Sequence, residues 1–193
     1  MSDGHCASEK PQAARGPTLE EDMLAAQGGD EEAANRVVTR VHPQLYHVAL
    51  RVMGDHHLAE EAAQQAVVNA LVRYKDTYQP GTRVLSWLYR ILINCCRRIA
   101  ARERRSAQPL DGPEPTVTDG PLADLEKQEL RSLVWAAIAK LPPRQREVTA
   151  LVLEGEKYFQ IAETLGMTQR AVKKCAFDAR QNLRSYLRPM QGV

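Results

Sequence analysis

Gln169, Arg170, Lys173 and Lys174 crowd the opening turns of one predicted helix, and they are the side-chain types that reach phosphate oxygens and base edges. An arginine in that position reads guanine through two parallel hydrogen bonds, discriminating by about 1–3 kcal/mol against the wrong base. The lysines set affinity, and Arg180, farther along, is placed for a phosphate. Phe177 on the same helix suits a thymine methyl, a partner protein or simple packing. The helix is positioned by the stretch from Tyr158 to Arg184, YFQIAETLGMTQRAVKKCAFDARQNLR, which reads as a helix-turn-helix. Ala162 is the small residue where two helices approach, and Gly166 supplies the positive φ of the turn. Val172 faces the first helix, Ile161, Leu165 and Met167 fill the apolar gaps, and Thr168 caps the second helix. The rival reading is an amphipathic hairpin with a solvated basic face.

A second chemistry-bearing set precedes it. Trp87, Tyr89, Arg90, Asn94, Arg97 and Arg98 offer a stacking surface, amide hydrogen bonding and cations along one predicted helix, as an unpaired nucleic-acid strand requires. The turn from Tyr78 to Arg83 stands ready to wall a flipped base. Trp87 reads equally well as a core anchor, and Arg102, Arg104 and Arg105 as a solubilising helix end. Upstream, Glu60 with Gln64, and Glu61 with Gln65 and Asn69, recur four residues apart as a polar strip, either a docking face or an ordinary wet surface.

The elements that position these groups are helical throughout, so the fold class is all-α, as two small helical domains on a flexible linker. Residues 1–17 read as an unstructured N-terminus, 18–105 as the first domain, 106–121 as the linker, 122–188 as the second domain and 189–193 as a tail. Helices are predicted over Leu19–Gln27, from Asp30 with an interruption near Pro43 to about Met53, and over Leu58–Tyr74 with Ala63, Val67, Leu71 and Tyr74 along one face. A fourth runs from Val84 to about Arg105, burying Val84, Leu88, Ile91, Cys95 and Ile99. Beyond the Pro- and Gly-rich linker, Leu130, Val134, Ala137 and Leu141 share a face before Pro142, and Pro143 opens the helix ahead of the helix-turn-helix.

The 193 residues carry 44% hydrophobic side chains and a net charge of +2, too small a charge to argue for nucleic acid unaided. The unevenness says more: acids gather at Glu20–Asp22 and Asp30–Glu32, whereas Arg97 to Arg105 is strongly basic. Cys6, Cys95, Cys96 and Cys175 make no CxxC pair, which fits a reducing interior, and neither a spanning apolar run nor a secretory leader is evident. A cytoplasmic location is expected. His5 with Cys6, and His56 with His57, fall short of a four-ligand metal set. The glycines assemble no phosphate loop. Neither catalytic residues nor a cofactor or metal is expected.

These motifs together resemble the extracytoplasmic-function class of bacterial RNA polymerase sigma factors, over about Leu19 to Leu187. The resemblance is carried by GDHHLAEEAAQQAV, YQPGT and SWLYRILIN in the first half, and by LPPRQREV, the helix-turn-helix, Ala179, Arg180 and Leu183 in the second. It implies a non-enzymatic, dissociable specificity subunit that binds core RNA polymerase and promoter DNA. Glu60, Glu61, Gln64, Gln65 and Asn69 would then face the clamp coiled coil of the largest polymerase subunit. Tyr78, Arg83, Trp87, Arg90, Asn94, Arg97 and Arg98 would recognise and open the −10 element, and Gln169, Arg170, Lys173, Lys174 and Arg180 would read the −35 element. It also implies an anti-sigma factor as a partner, in this class frequently membrane-bound. Gln65, Val67, Val84, Arg98, Cys175 and Phe177 depart from the family's usual residues. A stand-alone helix-turn-helix regulator and a decoy for an anti-sigma protein are the alternatives.

Overall fold

Side chains at helix starts set most of the boundaries in the computed structural model, which describes residues 16–73, 75–106 and 125–188. Thr18 and Glu21 form a reciprocal capping box that opens α1 (Leu19–Gln27). Asp30 accepts from the Ala33 amide at 3.0 Å to start α2 (Glu31–Met53). Gly54, at φ 72°, ends that helix, and Asp55 at once caps α3 (His56–Val68) by accepting from the Leu58 amide. A wide π-type turn, Asn69–Arg73, and a short 3-10 turn, Lys75–Thr77, lead to α4 (Val84–Ser106). The second half comprises α5 (Leu125–Ala139), α6 (Pro143–Leu153), α7 (Tyr158–Leu165) and α8 (Gln169–Leu187). The described residues contain eight α-helices and no strand, the all-α class expected.

Two expected boundaries move. The helix predicted to break near Pro43 runs straight through it as α2, because one missing N–H is outweighed by burial of Val37, Val41, Leu45, Val48 and Ala49 along the same face. The predicted Leu58–Tyr74 helix instead starts at His56 and changes to the π-type turn at Asn69. Residues 1–15 with His5 and Cys6, nearly all of the expected linker, Tyr74 and residues 189–193 lie outside the described residues, as does the side chain of Leu130.

In the first half, Ala59, Ala62, Ala63 and Ala66 leave no side-chain bulk on the inner face of α3, which lets it pack closely on α2 and α4. Leu45, Leu88, Leu92 and Ile99 fill the space between. Asp22, fully buried on α1, accepts from Arg36 and Arg40 of α2 at 2.8 Å each, so the first helix is tied down by a neutralised carboxylate. In the second half, Val148 and Leu151 of α6, Ile161 and Leu165 of α7, and Val172 and Ala176 of α8 form the inner surface. One continuous apolar cluster spans both halves, with α2 against α6 and α4 against α7. Leu92→Ala should cost about 2–5 kcal/mol of unfolding free energy, read from urea denaturation followed by circular dichroism.

Candidate nucleic-acid interface

The helix-turn-helix is built as its residues dictate. Gly166 sits at φ 63°, the Met167 amide donates to Ala162 carbonyl at 2.8 Å, and Thr168 accepts from the Ala171 amide at 3.2 Å to open α8. Val172 is fully buried, so its neighbours Gln169, Arg170, Lys173 and Lys174 all point outward and are exposed. Lys174 pairs with Asp178 at 2.9 Å, which raises its pKa. Arg180 donates to the Tyr158 hydroxyl at 2.6 Å and is thereby held over α7. Phe177 lies 58% exposed in the middle of this basic face.

The α4 set divides by helical phase. Trp87, Arg90, Ile91, Asn94, Cys95 and Arg98, spaced three and four apart, line one wall of a cleft of about 350 Å³ closed opposite by Asn69 and Thr77. Trp87 is 91% buried, its ring 5.4 Å from that of Tyr78, which is itself buried and donates its hydroxyl to the Thr82 carbonyl at 3.0 Å. The pair is a floor rather than an exposed stacking platform, the core-anchor alternative for Trp87. Tyr89 is buried too, and burial beside Glu154 and Glu156 raises its pKa.

The neighbouring arc, Ser86 and Arg97 with Arg90 at its border with the cleft, meets the second half of the chain. Arg97 donates both Nε and Nη2 to the Glu147 carboxylate at 2.8 Å, a fork-to-fork pair, and the pKa of the guanidinium rises accordingly. Arg83 and Ser86 both approach Glu156 at 3.2 Å, and Arg90 donates to the Glu163 carbonyl at 2.9 Å. Arg51 pairs with Glu154 nearby. Cys96 is enclosed beside Glu147, and burial pushes its thiol up to about 12.

The strip on α3 is less open than its spacing implies. Glu61 accepts two bonds from Arg102 at 2.7 and 2.8 Å, Glu60 accepts from Gln64, and Gln65 accepts from Arg98 at 2.7 Å. Two departures from the family pattern, Gln65 and Arg98, are thus each other's partner. Asn69 corrects the expectation outright: it is buried, donates to Cys95 Sγ at 3.4 Å and belongs to the cleft, because it follows Ala62 and Ala66 at helical spacing on the edge of the buried stripe. Val68, the last residue of α3, and Val72 in the wide turn point outward, 57% and 68% exposed. Their place four residues apart, continuing the line of Gln64, was a signal in the sequence that the polar reading of the strip passed over.

Glu147 and Glu156 were also missed. Glu147 falls one turn from Ala150 and Leu151 on the buried face of α6, and a carboxylate among apolar positions marks a place where an opposite charge must arrive. Among the described residues no group of three His, Cys, Asp or Glu side chains is arranged to hold a metal ion, and no helix is long and apolar enough to cross a membrane.

Residues 37–106 match the Sigma-70 region 2 family and residues 131–183 the Sigma-70 region 4 family. The chain is 32% identical over 149 residues to the ECF RNA polymerase sigma factor EcfG of Rhodopseudomonas palustris, covering 75% of this chain and 80% of that protein. It is 31% identical over 167 residues to SigE of Mycolicibacterium smegmatis, covering 82% of this chain and 64% of that longer protein. Among solved structures it is similar to the sigma factor RpoE in complex with the anti-sigma factor NepR from Bartonella quintana, at 23% identity and a TM-score of 0.67 over 80% of this chain and 96% of that one. CnrH in complex with the cytosolic domain of CnrY is similar at 22% identity and a TM-score of 0.65, over 88% of this chain and 97% of that one. The chain belongs to the extracytoplasmic-function RNA polymerase sigma factors.

The Glu61 carboxyl is held below the ordinary carboxylate range, chiefly by hydrogen bonds from Arg102. A folded pKa below the unfolded one stabilises the fold above about pH 4.3 and ceases to do so as pH falls through the folded value. Glu61→Gln should therefore lower stability at neutral pH and flatten the acid limb of the stability–pH curve, measured by thermal melts across that range.

Proposed function

We propose that this chain directs promoter-specific initiation by binding core RNA polymerase, with residues 18–105 docking on the polymerase and opening the −10 element and residues 122–188 capturing the −35 element. The observation that carries this reading is the cleft beside α4: a chamber wide enough for a base, floored by Trp87 and rimmed by Arg90, Asn94 and Arg98, on the same chain as an exposed basic recognition helix. A stand-alone regulator would need α8 alone and would leave the cleft idle.

Each group has a stated task. Arg170 and Lys173 contact bases or phosphates upstream, with Gln169, Lys174 and Arg180 beside them. Asn94, Arg90 and Arg98 hold an unpaired strand while Trp87 and Tyr78 support the chamber from beneath. Glu60, Glu61, Gln64 and Gln65 face the polymerase clamp, with Val68 and Val72 adding apolar area to that face. Melting is driven by preferential binding to the opened strand, so the chain needs no nucleotide hydrolysis and is no enzyme. Two modest readers on one polymerase-bound chain act with high effective concentration. The protein would work in the cytoplasm, where the polymerase is, and be restrained by an anti-sigma factor, as the similar Bartonella chain is bound by one.

Run-off transcription on genomic fragments with purified core polymerase should give discrete starts only when this protein is added; failure to associate with core enzyme in gel filtration would sink the reading. Arg170→Ala should cost about 1–3 kcal/mol of discrimination at one upstream base pair, seen by binding to a panel of single-base promoter variants. Asn94→Ala should reduce strand opening more than upstream capture, and permanganate footprinting alongside duplex binding separates the two.

A further inference from the structure

Gln65 on α3 and Arg98 on α4, two residues that depart from the sigma-factor pattern, meet at the edge of the cleft. Gln65 Oε1 accepts from Arg98 Nη2 at 2.7 Å, and the same amide donates through Nε2 to Glu61 at 2.9 Å. Glu61 is in turn gripped by Arg102 at 2.7 and 2.8 Å. A carboxylate can only accept and a guanidinium can only donate, so a side chain standing between the two must do both, and an amide has one orientation that serves. Gln65 therefore carries the hold of Arg102 on Glu61 across α3 and back to α4 at Arg98.

Arg98 is held without being neutralised. Arg97 and Arg102, near it on α4, each lie against a carboxylate, Glu147 and Glu61 respectively. Arg98 meets the uncharged oxygen of an amide and, at 3.7 Å, the Sγ of Cys95, and both contacts use Nη2. Its Nε and Nη1 have no acceptor among the described residues, its side chain is exposed, and it lines the same cleft as Trp87 and Asn94. A guanidinium fixed at one nitrogen, with its charge and other donors unspent, is prepared for an oxyanion arriving from solvent. We propose that Gln65 is a positioning residue for strand capture, setting Arg98 at the cleft through an uncharged amide so that the guanidinium keeps its full charge for a phosphate of the unpaired strand. This rests on the assignment of the cleft as the strand site. A glutamate at position 65 would occupy the same space and fail twice: it would set a second carboxylate against Glu61 and cancel the charge of Arg98.

The test is the affinity of the full-length chain for a labelled short single-stranded oligonucleotide of mixed sequence, read by fluorescence anisotropy over a series of salt concentrations. Leaving polymerase out keeps any contact of Gln65 with the clamp out of the result. For a single strand, each phosphate contact adds about 0.7 to the slope of log affinity against log salt, and Arg98→Ala should lower the slope by about that amount. Gln65→Glu should lower it equally although Arg98 is intact, and should weaken binding about tenfold at low salt. In the Arg98→Ala background the same substitution should have little further effect on either quantity. Gln65→Leu leaves the arginine charged but unguided, so affinity should fall about threefold with the slope kept. A side chain that only packed would not split charge from placement in this way. Circular dichroism melts verify that each variant is folded.

An equal effect of Gln65→Glu in both backgrounds would overturn the positioning role, as would a slope unchanged in Arg98→Ala. If the wild-type chain binds no strand at low salt, the proposal falls as well, since there is then no strand for Arg98 to meet. Run-off transcription separates these outcomes from the sigma-factor reading, because a chain can direct initiation whether or not Gln65 sets the place of Arg98.

Discussion

α4 is packed from more than one side, and the rest of the molecule arranges itself around that constraint. Its inward stripe, Leu88, Ile91, Leu92, Cys95 and Ile99, closes the core of the first half, while Tyr89 and Cys96 are enclosed on the side turned to the second. A helix apolar over so much of its circumference keeps only a narrow polar arc, and arginines confined to that arc require acceptors. They find three kinds: Gln65 and Glu61 on α3, and buried carboxylates on the second half.

The seam between the halves joins a continuous apolar cluster to charge pairs that are wet on one side. Pairs of this kind add little net stability, since the cost of enclosing a carboxylate offsets most of the attraction; what they fix is orientation. Glu147 accepts from Arg97 and, at 3.1 Å, from Arg144 of its own helix, so its charge is neutralised in part without the partner domain. That sharing lowers the cost of separating the halves.

Local chemistry made much of this legible. Thr168, Gly166 and Val172 announce the helix-turn-helix because a cap, a left-handed turn and a buried contact each admit few residue types, and the buried stripe of α4 follows its 3.6-residue period. Pro43 misled because its penalty is local whereas the compensating burial along α2 comes from helices distant in sequence. Asn69 misled because its spacing of four from Gln65 also sets it three from Ala66, on the edge of the buried stripe. The carboxylates of Glu147 and Glu156 were opaque for a deeper reason: nothing near them in sequence reveals that Arg97 and Arg83 will arrive from the other half. Helical periodicity tells which side of a helix is covered, not by what.

The wide turn at Asn69–Arg73 takes more backbone per revolution than the helix before it, so it acts as a phase shifter. Val68 and Val72 form an outward ridge in line with Gln64, while Asn69 stands in the wall of the cleft. The outer face of α3 and the cleft beside α4 are therefore joined through a single revolution of backbone. Shortening that revolution by one residue would restore ordinary helical pitch and turn the cleft wall and the outward ridge relative to each other, so the length of this segment matters more than its composition.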